Sequence, residues 1–231
     1  MKSDLVYLDE FFSVPGFIQD EALTFGYQVV SPMINKSNVP DAFKGPDLNT
    51  ILYNLGAQNV VALDYFDKRA ELRFDMNNPV PKKYHNRFGT LVDIGSLEHV
   101  FDVKQALINC MKMLKPRGMY LLAVPVKGYY SHGIHTFTDP KALVHAFVHN
   151  KFEIVEVAYS TRARAPISDP READEVMLWL MTRKIGNFRK FRNPQQVYWE
   201  QVYKIPLKYE LEGIESEDRS RLRQQKRKKA A

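Results

Sequence analysis

Apolar and polar positions follow one another along this chain in the pattern of a protein built from buried strands and amphipathic helices. Seven short runs are rich in β-branched and aromatic residues, which is typical of strands. Glycine at position 26 interrupts the first run, and we expect the backbone to turn sharply there. The predicted strands cover residues 21–30, 59–64, 71–75, 88–95, 119–124, 152–159 and 175–182.

Capping residues and helical spacing predict three helices between these strands. Asp47 and Asp102 each precede apolar residues that recur every three or four positions, and an aspartate at that place satisfies the free amides of a helix start. Asp139 followed by Pro140 is another strong start, because proline fits the first helical turn. Asn150 is expected to end that third helix.

The order of these elements predicts an α/β fold with a doubly wound, mostly parallel, seven-stranded sheet. The last two strands are joined by the polar stretch 162–174, which is too poor in apolar positions for a crossover helix. Two such strands should pair antiparallel, so we expect one reversed strand. Ligands of doubly wound sheets bind where the parallel strands end.

Residues 91–125 hold the most informative motifs. The segment Gly-Ser-Leu-Glu-His-Val at 95–100, followed by Met-Leu-Lys-Pro-Arg-Gly at 113–118, resembles the class I S-adenosylmethionine-dependent methyltransferases. The resemblance extends over roughly residues 21–182. It implies the Rossmann-like methyltransferase fold, S-adenosylmethionine as the cofactor and an enzyme that transfers a methyl group.

The resemblance also implies a set of cofactor-binding residues. Gly26 would lie in the loop after the first strand, Asp64 would bind the ribose, and Asp75 the adenine amine with Met76 beside the ring. Gly95 and Ser96 would lie near the methionine end. An aspartate at a strand end is also a common turn or capping residue, and this alternative stays open for both acids.

The first-strand loop departs from the usual family pattern, because it has one glycine where the family carries several. The sequence Phe25-Gly26-Tyr27-Gln28 resembles the Leu-Gly-x-Gln version of this turn in sugar- and small-molecule-type methyltransferase-like proteins. This degenerate glycine loop keeps a catalytically inactive, methyltransferase-like binding protein as one alternative.

Histidines after the fourth and fifth strands are the catalytic candidates. His99 could orient or deprotonate a hydroxyl acceptor, or it could simply bond to the backbone at a strand end. His132 belongs to the segment 129–135, which should lie at the same edge of the sheet. Glu98 and His135 are further acid–base candidates. A two-histidine match is weak support for a metal, and we expect none.

Composition and charge limit the class of protein and show where the basic residues lie. With 45% apolar residues the chain is not disordered, and its single cysteine, Cys110, is expected in the core of a cytoplasmic protein. The net charge is +6, but seven cations lie in residues 219–231, and without them it falls to −1. They are Arg219, Arg221, Arg223, Lys226, Arg227, Lys228 and Lys229.

We therefore expect a methyltransferase-like domain over 1–183, an appended aromatic and basic helical segment over 184–213, and a flexible basic tail over 214–231. The predicted acceptor is the hydroxyl or amine of a small molecule such as a sugar, and no membrane contact is expected. In the alternative function, the chain is a nucleic-acid-binding protein or an RNA or DNA methyltransferase, whose basic segment and tail bind the nucleic acid or another acidic partner. The aromatic residues of that segment could stack on bases, or they could pack on the body.

Overall fold

Seven strands form one sheet in the computed structural model, which describes residues 10–30, 40–129, 132–161 and 166–194. Their order across the sheet is β2-β1-β3-β4-β7-β5-β6. The strands are β1 (Glu21–Phe25), β2 (Asn59–Leu63), β3 (Phe88–Ile94), β4 (Leu114–Lys127), β5 (Phe152–Thr161), β6 (Pro166–Ile167) and β7 (Val176–Lys184).

Strands β1 to β5 point in one direction, whereas β7 and the two-residue β6 point in the other. The pairings of β1 with β2, β1 with β3 and β3 with β4 are parallel. Those of β4 with β7, β7 with β5 and β5 with β6 are antiparallel. The fold class is therefore confirmed, but the expectation of a single reversed strand is wrong, because the polar stretch before β7 contributes a reversed strand of its own.

Within the described ranges, three α-helices connect the strands: α1 (Leu48–Asn54), α2 (Val103–Met113) and α3 (Pro140–His149). Each begins at its predicted aspartate. Asp47 accepts a hydrogen bond from the amide of Thr50, Asp102 from that of Gln105, and Asp139 from that of Lys141. The capping interactions anticipated from the sequence thus set where these helices begin.

Both faces of the sheet are covered, and β4 shows how. Its residues Tyr120, Leu122 and Val124 pack into the cluster that also holds the apolar faces of α2 and α3. Leu121 and Ala123, which alternate with them, pack on the other face with α1 and with aromatic residues from the N-terminal side of β1. Strand residues alternate between faces, so a strand buried on both is apolar throughout.

Residues 71–75, predicted as the third strand, form only one parallel bridge, from Leu72 to Leu63. The reason is local. The carboxylate of Glu71 accepts the hydrogen bond of the Ala62 amide at 2.7 Å, which is the place a neighbouring strand's carbonyl would occupy. A side chain therefore replaces the ladder on the N-terminal side of this bridge. On its C-terminal side β2 itself ends at Leu63, and the carboxylate of Asp64 binds the amides of the turn that follows, so residues 73–75 have no strand to pair with.

The aromatic and basic segment is described only as far as residue 194. Phe188 and Phe191 are partly buried against the main core. Asn150 holds this segment through reciprocal hydrogen bonds with the backbone of Arg192, at 2.7 and 3.0 Å. The helix expected from Pro194, and the basic tail, lie outside the described residues. No helix in the described ranges has the length and apolar character needed to cross a bilayer.

Lys184, at the end of β7, is completely buried. Its ammonium group donates hydrogen bonds to the side chain of Asn86 at 3.1 Å, to the carbonyl of Met111 at 2.7 Å and to that of Leu114. It thereby caps the carbonyl end of α2. Burial lowers the pKa of Lys184 to about 8.

This burial predicts a pH dependence of stability. Above about pH 8 the folded side chain loses its proton while the unfolded one keeps it, so the unfolded state binds more protons and stability rises with pH. The free energy of unfolding of the wild type should therefore rise between pH 8 and 9, relative to that of Lys184→Met, by up to roughly 1.4 kcal/mol per pH unit. Urea unfolding of both proteins at several pH values measures the difference. A constant difference would contradict the prediction, and Lys127→Met serves as an exposed-lysine control.

Candidate active site

A cavity of about 450 Å³ opens at the edge of the sheet where β1, β2 and β3 end. This is the size and the place expected of a ligand site in a doubly wound fold. It is lined by Phe25, Gly26, Tyr27, Gln28, Asp64, Tyr65, Phe66, Phe74, Asp75, Met76, Asn77, Gly95, Ser96, His99 and Val100.

Asp64, directly after β2, holds two loops together through its carboxylate. Oδ2 accepts a hydrogen bond from the amide of Tyr27 at 3.0 Å, and Oδ1 accepts from the amides of Phe66 and Asp67 at 2.8 and 3.0 Å. Burial acts to raise the pKa of Asp64, but these three amides outweigh it and hold the pKa below its usual range. The cavity is therefore bordered by an ionised carboxylate.

The turn after β1 depends on Gly26, which has a positive φ of 85°. Its backbone lies so close to the loop after β3 that a Cβ at this position would be 2.4 Å from the hydroxyl of Ser96. That hydroxyl donates to the carbonyl of Phe25 at 2.6 Å and accepts from the side-chain Nε2 of Gln28 at 3.1 Å. Gly26 is thus required by close packing between the two loops.

The loop after β3 is built on Asp93, which is completely buried. Its Oδ1 accepts hydrogen bonds from the amides of Ser96 and Leu97, at 3.0 and 3.3 Å, and its Oδ2 from the hydroxyl of Tyr120 at 3.3 Å. Burial, together with the charge of Glu98, raises the pKa of Asp93 well above its usual range. Asp93 is therefore a structural group that holds the loop after β3 in place.

Asp75 and Met76 form the opposite wall. The carboxylate of Asp75 accepts hydrogen bonds from the amide and side chain of Asn77, at 2.9 and 2.7 Å. Met76 is buried, and its carbonyl accepts from the side chain of Asn109 on α2 at 3.1 Å. Asp75 thus acts as a turn residue, as the alternative allowed, and also borders the cavity.

Aromatic side chains form the rim. The hydroxyl of Tyr27 donates to Asp47 at 2.7 Å, while the guanidinium of Arg69 lies 4.2 Å from the centre of its ring. Tyr65 and Phe66 pack edge to face at 4.6 Å, yet the Phe66 side chain is 85% exposed. Large exposed aromatics beside a cavity are a surface on which a ligand can pack.

His99 and His132 lie side by side, with ring centres 5.2 Å apart. His99 is among the residues that line the cavity and His132 is not, but His132 Nε2 lies 3.8 Å from Oε1 of the buried Glu98. Burial, and then the neighbouring His132, lower the pKa of His99 below its usual value, so its imidazole is neutral at pH 7. The ligand atoms of Glu98, His99 and His132 all lie within 4.8 Å of one another.

The structure thus brings all six predicted cofactor residues, and His99, to one cavity. His132 stands next to that group, while His135 is turned away, with its Nε2 3.1 Å from the carbonyl of Phe101. Sequence reasoning missed Tyr65, Phe66 and Phe74 as lining residues. The only signal for the first two was their position directly after the strand-ending Asp64.

The sequence matches no protein-family model and no curated protein. Solved structures do match. An S-adenosylmethionine-dependent methyltransferase from Mesorhizobium loti aligns at TM-score 0.50 and 13% identity, covering 78% of this chain and 97% of its own. A candidate S-adenosylmethionine-dependent methyltransferase from Listeria monocytogenes aligns at TM-score 0.51 and 12% identity, covering 79% and 98%. A candidate methyltransferase from Bacillus halodurans aligns at TM-score 0.50 and 13% identity, covering 79% and 99%.

These similarities extend over almost the whole length of each solved structure. The chain therefore has the fold of the class I S-adenosylmethionine-dependent methyltransferases, as the resemblance in its sequence implied.

The packing around Gly26 predicts a specific cost of adding a methyl group there. Gly26→Ala forces both a positive φ and a clash with Ser96, whereas Gly16→Ala forces only the positive φ, since nothing lies within 4 Å of a Cβ at Gly16. Gly26→Ala should therefore be less stable than Gly16→Ala by about 1–3 kcal/mol, the usual cost of overpacking. Thermal unfolding of the two variants tests this. Equal losses of stability would contradict the close approach of the two loops.

Proposed function

We propose that this protein binds S-adenosylmethionine in the cavity and transfers its methyl group to a hydroxyl or amine of a small molecule such as a sugar. One observation carries the proposal: two carboxylates from neighbouring loops, a tight glycine turn and a buried apolar wall all border a single cavity of about 450 Å³. A nucleoside needs this combination of acceptors for its hydroxyl and amine groups and apolar surface for its base.

The residues at the ribose and adenine positions fit such a ligand chemically. A carboxylate has about four acceptor positions, and backbone amides take three of those of Asp64, so one remains for a ribose hydroxyl. We assign Asp75 to the adenine amine. The apolar surfaces of Phe74, Met76 and Val100, which line the same cavity, would contact the base.

We assign the methionine end to Gly26, Gly95 and Ser96, where the loops after β1 and β3 meet. The cofactor supplies an electrophilic methyl group on a cationic sulfur. The chain's contribution is to hold donor and acceptor in contact and to exclude water, since methyl transfer is an in-line displacement that needs no covalent nucleophile. The ionised Asp64 also favours a cationic ligand by charge.

The acceptor is assigned to the side of the cavity where His99 and His132 lie. Both imidazoles are close enough to contact an acceptor hydroxyl or amine, and His132 is half exposed. The exposed rings of Tyr65 and Phe66 offer apolar surface at the mouth. We propose that these side chains orient the acceptor toward the donor pocket.

A small acceptor fits the placement of charge better than a nucleic acid does. The described cations of the basic segment, with Lys151, surround a groove at the opposite edge of the sheet, where β5 begins and β7 ends. A strand of RNA or DNA bound there would lie far from the methyl donor. Phe188 and Phe191, moreover, are partly buried against the core rather than presented for stacking.

Binding of S-adenosylhomocysteine, the demethylated cofactor, tests the donor pocket. Calorimetric titration of the wild type should give one saturable site. Asp64→Ala removes a charged hydrogen-bond acceptor, so it should weaken binding by about 1.5–3 kcal/mol, or roughly 10- to 150-fold.

Asp41→Asn is the matched control, because the side chain of Asp41 is 95% exposed and does not line the cavity. Thermal unfolding of both variants shows whether each stays folded. Unchanged affinity in a folded Asp64→Ala variant would refute the assignment of the ribose site. No binding to the wild type would favour the inactive alternative.

A further inference from the structure

The acceptor side of the cavity holds a cluster of three metal-binding side chains, Glu98, His99 and His132, which we call the EHH cluster. Glu98 and His99 belong to the short 3-10 turn after β3, and His132 to the loop after β4. Their ligand atoms lie within 4.8 Å of one another, and Glu98 Oε1 is 3.8 Å from His132 Nε2. That distance is too long for a hydrogen bond.

The two segments that form the EHH cluster are joined by their backbones. The carbonyl of Glu98 accepts hydrogen bonds from the amides of Ile134 and His135, at 2.9 and 3.1 Å. Gly133 has a φ of 75°, and a Cβ there would lie 2.7 Å from Cγ of Glu98. A glycine thus lets the loop pack directly on Glu98, so the position of His132 relative to this carboxyl group is built into the fold.

The cluster lies at the boundary between the core and solvent. The side chain of Glu98 is only 1% exposed, and it follows the end of β3, which carries the completely buried Asp93. His132, in contrast, is 52% exposed, so the cluster is reachable from solvent on the side where an acceptor would enter.

From this geometry we infer that the EHH cluster binds one divalent transition-metal ion such as Zn²⁺. Two imidazoles and one carboxylate are a donor set that such ions prefer, and three protein ligands leave a position open for a substrate. Ligands about 2.0–2.2 Å from an ion lie roughly 3.4 Å apart when tetrahedral, so the separations between the ligand atoms have to shorten by up to about 1.4 Å. The exposed His132 can supply most of that movement.

The site deepens the proposed function and rests on it: the acceptor would be a hydroxyl group bound to the ion. The ion lowers the pKa of a coordinated oxygen, and the hydroxyl proton leaves to solvent. That oxygen then forms a bond to the methyl carbon as the bond from carbon to sulfur breaks, which yields a methyl ether and neutral S-adenosylhomocysteine. An amine attacks through its single lone pair, which coordination to the ion would occupy, so the cluster favours hydroxyl acceptors.

Zinc binding is the direct test. Full-length protein is stripped with a chelator and titrated with Zn²⁺ by calorimetry, and Co²⁺ binding is followed by visible absorption. The wild type should bind one ion of either metal. His132→Ala and His99→Ala should each weaken binding by at least about tenfold, since even partners of metal ligands contribute 10- to 100-fold.

His145→Ala is the matched control, because His145 and His149 form another close histidine pair on α3, with ring centres 4.1 Å apart. The inference predicts that this variant binds zinc as the wild type does. Binding that survives in both cluster variants but is lost in His145→Ala would overturn it, as would the absence of binding by the wild type.

Titration of the same preparations with S-adenosylhomocysteine separates this inference from the proposed function. If the wild type binds S-adenosylhomocysteine but does not bind zinc, the metal site alone is refuted. If the wild type binds zinc but does not bind S-adenosylhomocysteine, the donor pocket is refuted and the metal site stays supported. If a folded His132→Ala variant loses zinc binding and keeps its affinity for S-adenosylhomocysteine, the metal site and the donor pocket are both supported.

Discussion

The carboxylate of Asp64 fixes two loops at once, and the rest of the cavity depends on this. It binds the amide of Tyr27 in the turn after β1 and the amides of Phe66 and Asp67 in the turn after its own strand. Backbone amides grouped around one carboxylate keep that group ionised despite partial burial. The side chain of Asp64 therefore fixes the shape of this cavity wall, places a negative charge beside the cavity and leaves one hydrogen-bond acceptor position unused.

The turn after β3 connects the two sides of the site. Its first part, through Ser96, packs on Gly26, where we propose that the methyl donor binds. Its second part carries Glu98 and His99, on the side proposed for the acceptor. The buried Asp93 holds both parts through the amides of Ser96 and Leu97. In the proposed function, one short, internally bonded segment would thus position both molecules, as a displacement between them requires.

The sequence predicted the elements whose signals are local. Asp47, Asp102 and Asp139 start helices because an aspartate caps free amides wherever the chain then turns helical. The predicted strand at 71–75 was wrong for two reasons that no pattern of apolar positions records. The carboxylate of Glu71 replaces a backbone partner before the single bridge at Leu72, and β2 ends at Leu63, just where that pairing would continue. The second reversed strand, β6, has only two residues and leaves no periodicity to detect.

Contacts between residues that are far apart in the chain could not be predicted from the sequence either. His99 and His132 were each notable as histidines after strands, but their approach to Glu98 depends on backbone bonds from residues 134 and 135 to its carbonyl. The six residues predicted for the cofactor line one cavity. Gly26, Asp64 and Gly95 meet there because they follow parallel strands that end at one edge of the sheet. The aromatic rim was missed, since aromatic residues are far more often part of a core.

A crystal structure of the protein with S-adenosylhomocysteine tests the central claim most directly. The account predicts density for the nucleoside in the cavity, with a ribose hydroxyl donating to Asp64, the adenine amine donating to Asp75, and Met76 against the base. Density at another place, or an empty cavity at saturating ligand, would contradict it.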